Sequence, residues 1–130
     1  MANDDSRASL TEPQLEVMHA VWARGEATVG EVWDELRGRR PVARNTVLTV
    51  MDRLEKKGWL RRRAEGMRHL YSAARSREKT LGTMVGRLVE TAFAGSAEEL
   101  VVALLDGRGV TAEEAKRIRK LIDAARRNER

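Results

Sequence analysis

The sequence predicts a mainly α fold: three short helices and a β-hairpin over residues 10–75, then three more helices over residues 76–130, behind a flexible start at residues 1–9. Three observations carry this. Apolar residues recur with a helical period in separate stretches. Several stretches open on Ser or Thr with Glu or Gln three residues later, the spacing in which hydroxyl and side chain cap each other's backbone N–H. Two extended runs, Trp59–Ala64 and His69–Ala73, flank Glu65-Gly66-Met67-Arg68, a hairpin signal weaker than Asn-Gly.

Thr11 and Gln14 open the first helix, with Pro13 tolerated in its first turn and Gly25 ending it. Its expected apolar stripe is Leu15, Met18, Val21 and Trp22, with His19 at the core edge rather than as a ligand. Ala27 and Thr28 form a short extended piece. Thr28 and Glu31 open the second helix, Val29 to Arg37, with Val32, Trp33 and Leu36 inward. Pro41 disfavours helix at the residue before it, so a turn follows.

The third helix lies in ARNTVLTVMDRLEKKGWLRRR, Ala43 to Arg63, and ends at Gly58. Val47, Val50, Met51 and Leu54 fall on one stripe, while Asn45, Thr49, Asp52 and Lys56 lie opposite, with Arg53 beside them. On the first hairpin strand Trp59, Arg61 and Arg63 are expected on one face and Leu60 and Arg62 on the other; Leu70 on the second strand is expected to point into the core. Helix, helix, helix and hairpin in this order is the winged helix-turn-helix plan.

From Ser76 the pattern is helical again. Leu81, Met84, Val85, Leu88, Val89, Ala92 and Phe93 form one stripe, broken at Gly95. Ser96 with Glu99 and Thr111 with Glu114 open two further helices, carrying Leu100, Val101, Leu104 and Leu105, then Ile118, Leu121 and Ile122. Three helices this short and apolar cannot bury these faces on one another alone, so a homodimer is expected through them.

Charge is distributed unevenly along the chain. The formal net charge is +5 over 130 residues and the pI is about 10.2. Residues 1–36 hold 2 basic and 8 acidic side chains, residues 37–75 hold 12 and 3, and residues 76–130 hold 11 and 9. The positive charge is confined to the middle third, as a surface for a polyanion requires. Without cysteine, thiolate metal sites, zinc fingers and cysteine nucleophiles are excluded, and two histidines are too few for a histidine-rich metal site. No metal or cofactor is expected. No phosphate loop or catalytic constellation can be assembled, so no enzyme is expected; Gly107-Arg108-Gly109 matches neither nucleotide-binding fingerprint. No apolar run approaches the roughly 20 residues of a membrane span, and the start lacks a signal-peptide pattern. A cytoplasmic protein is expected, nucleoid-associated when bound.

The third helix suits the major groove, entering by its N-terminal half. Arg44 and Asn45 are the base readers by type, arginine pairing two acceptors on guanine and asparagine pairing with adenine. Thr46 and Thr49 suit a thymine methyl or a phosphate, and Leu48 can meet a thymine methyl. Arg53 and Lys57 are expected at phosphates. In the hairpin Arg61, Arg62, Arg63 and Arg68 would hold the backbone or probe the minor groove. The alternative is a winged-helix module that docks an acidic protein surface without reading DNA.

LTEPQLEVMHAVW (Leu10–Trp22), ARNTVLTVMDRLEKKGWL (Ala43–Leu60) and HLYSA (His69–Ala73) resemble the penicillinase-repressor family of bacterial transcription regulators, the BlaI/MecI/CopY type. The resemblance implies a homodimeric winged-helix repressor that binds operator palindromes, often built on TACA/TGTA. It places Arg44, Asn45, Thr46, Thr49 and Arg53 in the DNA-reading helix, Arg61, Arg62, Arg63 and Arg68 in the wing, and the dimer contacts after Ser76. Two departures bear on induction. Copper-responsive members carry a C-terminal cysteine cluster, and this chain has no cysteine. β-Lactam-responsive members are cut by a membrane sensor protease at an Asn-Phe bond, where this chain carries Ala103-Leu104. Leu48 also stands where penicillinase repressors can carry arginine.

Overall fold

The computed structural model describes residues 9–128. The segment expected to be flexible, residues 1–9, lies outside these apart from Ser9. The elements are α1 (Glu12–Arg24), β1 (Glu26–Ala27), α2 (Val29–Arg37), α3 (Arg44–Lys56), β2 (Leu60–Glu65), β3 (Arg68–Ala73), α4 (Arg77–Ala92), α5 (Ala97–Asp106) and α6 (Ala112–Asn128). The chain divides into two compact units between Val85 and Gly86. The division falls inside α4, later in the chain than Arg75.

Both expected capping boxes form at α1 and α2, Thr11 with Gln14 and Thr28 with Glu31. At α5 and α6 only the hydroxyl half forms: Ser96 Oγ accepts from the Glu99 amide at 3.1 Å and Thr111 Oγ1 from the Glu114 amide at 3.0 Å. The Glu114 carboxylate lies 4.0 Å from Arg108 instead.

In the first unit, α1, α2 and α3 pack on a three-stranded antiparallel sheet of order β1-β3-β2. Val47, Met51 and Leu54 of α3 are fully enclosed, joining Val32 and Leu36 of α2. Each such side chain stabilises the fold by about 1.5–3 kcal/mol through burial alone. The buried side of α1 is Gln14, Val17, Met18, Ala20 and Val21, rotated from the expected stripe, and Leu15 and Trp22 are half-buried. Trp22 sits where its indole can bond: Nε1 donates to the Arg75 carbonyl at 3.0 Å and ties the end of the hairpin to α1. Trp33, likewise half-buried, donates to the Val42 carbonyl at 2.8 Å and fixes the turn before α3. His19 packs edge-on against Trp22, with ring centres 5.7 Å apart, in the core-edge role expected.

Three details of the hairpin differ from the sequence reading. The loop is Gly66-Met67, because Glu65 and Arg68 are paired across the strands. Gly66 has φ +62° and Met67 has no positive φ, the combination of a type II′ turn with Gly first. Trp59 precedes β2 rather than sharing a strand face with Arg61 and Arg63. The chain leaves α3 through Gly58 at φ +86°, which turns Trp59 back so that its amide donates to the Leu54 carbonyl at 2.8 Å and its ring is buried beside Leu60. Leu70 is covered but stands outside the central core. Tyr71 is the β3 residue that enters it, since Tyr71 pairs with Ala27 and Arg62 while Leu70 pairs with Arg63.

In the second unit neither α5 nor α6 has a buried residue. Val101, Val102, Leu104 and Leu105 are exposed on α5, and Leu121 and Ile122 remain 69% and 53% exposed on α6. Leu100, Phe93, Val89 and Ile118 are half-buried, and Leu88 of α4 is 45% exposed. Of the other residues expected at a dimer contact, Leu81 and Met84 are half-buried and Val85 is exposed, all three in the first unit. No helix among the described residues is long and apolar enough to cross a membrane.

Candidate nucleic-acid interface

The N-terminus of α3 differs chemically from the other helix starts. At α1, α2, α4, α5 and α6 a Ser or Thr hydroxyl accepts from an amide of the first turn. At α3 the N-cap is Ala43, which makes no side-chain cap bond. The leading amides of a helix lack intrahelical acceptors and carry the positive end of its dipole. An uncapped end therefore presents donors to an external anion or acceptor-rich edge. Residue-type reasoning passes over Ala43, although its signal is readable: among the six described helices it is the one start without a hydroxyl.

Arg44, Asn45, Thr46, Leu48 and Thr49 are all exposed; Asn45, Thr46 and Thr49 lie on the side of α3 away from Val47 and Met51, whereas Arg44 stands at the helix start, one turn before Val47. Leu48 is 37% exposed. The Thr49 hydroxyl donates back to the Asn45 carbonyl at 3.0 Å. That bond uses the hydroxyl proton and leaves the oxygen able to accept. The Asn45 amide, Arg44 and Arg53 have no side-chain partner among the described residues. Lys57 caps the helix C-terminus and is likewise exposed and unpaired. The structure thus gathers Arg44, Asn45, Thr46, Thr49 and Arg53 onto one helix whose other side is core.

The wing arginines are not equivalent. By register Arg61, Arg63 and Arg68 share one sheet face with Glu26 and Glu65, while Arg62 lies on the other. Arg63 donates twice to Glu26, at 2.7 and 2.8 Å, and once to Glu65 at 3.2 Å. The Glu26 bonds hold the guanidinium charged far beyond need and pull the Glu26 carboxyl below the usual range. Because Glu26 is on β1 and Arg63 on β2, this bidentate bridge crosses the central strand β3. Arg68 bonds Glu65 at 2.7 Å beside the turn, which lowers the Glu65 carboxyl, with Arg63 adding to the effect. Arg61 and Arg62 are exposed and unpaired.

The step in charge along the sequence is therefore partly cancelled in space. Arg37, Arg39, Arg40 and Arg63 of the basic third pair with Asp34, Glu35, Glu16 and Glu26 of the acidic third. Among the described residues, the cations of α3 and the wing without a partner are Arg44, Arg53, Lys57, Arg61 and Arg62. Among the described residues no cluster of His, Cys, Asp or Glu could hold a metal ion.

Residues 10–124 match the family model described as Penicillinase repressor. A transcriptional regulator BlaI of Mycobacterium tuberculosis is 32% identical over 108 residues, which span 82% of this chain and 77% of that protein. The solution structure of the DNA binding domain of the repressor BlaI superposes with a TM-score of 0.50 at 28% identity, covering 54% of this chain and 85% of that one. A mutant MarR of E. coli superposes over 92% of this chain and 80% of its own, with a TM-score of 0.55 at 20% identity, a likeness of fold.

Proposed function

The chain belongs to the penicillinase repressor family, and from that premise we propose how its residues do the work of a DNA-binding transcriptional repressor of the BlaI/MecI type. The α3 N-terminus enters the major groove, with Arg44 and Asn45 on base edges and Thr46 and Thr49 on a thymine methyl or a phosphate. Arg53, Lys57, Arg61 and Arg62 hold the backbone. Arg63 and Arg68 serve differently from the other wing arginines. Their pairing with Glu26 and Glu65 stiffens the hairpin, so they preorganise the wing and add less to phosphate contact.

The observation that carries this reading is the uncapped start of α3 at Ala43 next to exposed, unpaired Arg44 and Asn45. The other five described helices supply a hydroxyl for their own first turn; in α3 the Thr46 amide turns back to the Ala43 carbonyl at 3.1 Å, and the Arg44 and Asn45 amides are left for something outside the fold.

The repressor acts as a homodimer on a palindrome. The exposed Val101, Leu105, Leu121 and Ile122 support this, since large apolar side chains left uncovered on two helices suit an association site. Closed two-fold pairing would set two copies of α3 about one DNA turn, roughly 34 Å, apart. The inducing signal is not that of a thiolate metal sensor, because the chain has no cysteine.

Fluorescence anisotropy with a TACA/TGTA palindromic duplex and a scrambled duplex of the same length tests the proposal. Two chains per palindrome, bound about 10³-fold or more tighter than the scrambled duplex, is the expected result. Equal affinity for both duplexes, or one chain per palindrome at saturation, would overturn it.

A further inference from the structure

A pocket of about 400 Å³ lies where the hairpin runs into α4, wholly within the first unit. That volume is in the range of small-molecule sites. Trp59 and Ala74 form its apolar wall. Arg75 and Lys79 bring two cations, and neither has an anionic partner among the described residues. Thr80 and Thr83 add hydroxyls, the former donating to the Ser76 carbonyl at 2.7 Å. No acidic residue lines the pocket. The Arg75 guanidinium stacks 4.4 Å above the Trp59 ring centre. The Trp59 Nε1 is buried and has no acceptor among the described residues, which is rare for an indole N–H. Two cations without an anionic partner beside an aromatic wall call for one chemistry: an anionic acceptor carried on a flat apolar body.

We infer that this pocket binds a small aromatic carboxylate and that its occupancy weakens operator binding; the second half rests on the repressor reading above. Trp59 is bonded through its backbone to Leu54 at the end of α3, and Lys79 and Thr80 belong to the first turn of α4. A ligand between them bears on the recognition helix and on the helix that leads towards Gly86. The sign follows from charge. An anion seated on Arg75 and Lys79 makes a polyanion-binding unit less positive, so it opposes DNA at any geometry.

Isothermal titration of the whole chain with benzoate and with naphthoate, without DNA, tests the site, with neutral benzamide as the control. The expected result is saturable binding of at least one carboxylate and none of benzamide. Lys79→Gln and Arg75→Gln should each weaken it by about tenfold, as loss of one charge-assisted contact implies, while thermal unfolding shows both variants folded. At a carboxylate concentration just sufficient to saturate the parent the operator dissociation constant should rise several-fold, and in Lys79→Gln the same concentration should raise it less. No saturable binding of either carboxylate, equal binding of benzamide, undiminished binding in both variants, or an operator affinity unmoved at saturation would overturn the inference. The calorimetry contains no DNA, so a chain that fails to bind its operator would sink the repressor reading and leave the test of the pocket intact.

Discussion

Replacing Arg62 by Gln should flatten the salt dependence of operator binding more than replacing Arg63 does, although the two are neighbours on one strand. Arg62 is unpaired, whereas Arg63 already gives its donors to Glu26 and Glu65. The cations assigned to the DNA backbone are Arg53, Lys57, Arg61 and Arg62, so a dimer presents about eight, and neutralising that many phosphates gives a log–log slope of about −7. Arg62→Gln removes one from each protomer and brings the slope to about −5. Between about 50 and 200 mM salt the variant should lose roughly tenfold less affinity than the parent. Arg63→Gln should change the slope by less. Anisotropy titrations at four or more salt concentrations on one palindromic duplex read both slopes. If Arg63→Gln flattens the slope as much as Arg62→Gln, or if Arg62→Gln leaves it unchanged, the division of the wing into contacting and stiffening arginines is wrong.

Asn45→Ala should relax sequence choice at one base pair of each half-site by about 1–3 kcal/mol, read from affinities for single-substituted palindromes; uniform weakening across all duplexes would place Asn45 on the backbone instead. Met51→Ala removes a fully enclosed side chain of the core and should cost about 2–5 kcal/mol in urea unfolding, with a smaller loss meaning that the neighbours collapse into the space. Leu121→Glu, on the exposed face of α6, should convert the protein to monomers in sedimentation equilibrium, and an unchanged dimer would move the association surface elsewhere. The Arg40 bond holds the Glu16 carboxyl below its ordinary 4.5 in the fold. Its contribution to stability is therefore present above the unfolded value and lost as pH falls through the folded one, so Glu16→Gln should be less sensitive to acid unfolding in that window than the parent.

Much of the fold was legible because it is set locally. The hydroxyls of Thr11, Thr28, Ser96 and Thr111 mark helix starts, and Gly25 and Gly58 mark ends, since each satisfies or releases a backbone group within one turn. What was not legible depends on contacts between distant residues. Strand alternation put Trp59 with Arg61 and Arg63, but Gly58 turns Trp59 into the core before the strand begins. The same alternation holds for Leu70 and Tyr71, yet only the pairing with Ala27 on β1 shows which of the two faces the core. A charge count along the chain cannot show that Glu26 reaches Arg63 or that Glu16 reaches Arg40. The DNA-reading candidates on α3 follow from one helical period, so their grouping was predictable. The wing arginines span a sheet whose partners come from elsewhere, so their division was not.

The central claim is that the start of α3, together with the free arginines of β2, is the surface that meets DNA. Backbone amide chemical shifts of the whole ¹⁵N-labelled chain, followed as palindromic duplex is added, test it directly. The account predicts that the largest changes fall on Arg44, Asn45 and Thr46, followed by Arg61 and Arg62, with amides of the α2 surface around Asp34 and Arg37 little moved. Changes centred on α2 or on the C-terminal helices, with the start of α3 silent, would contradict it.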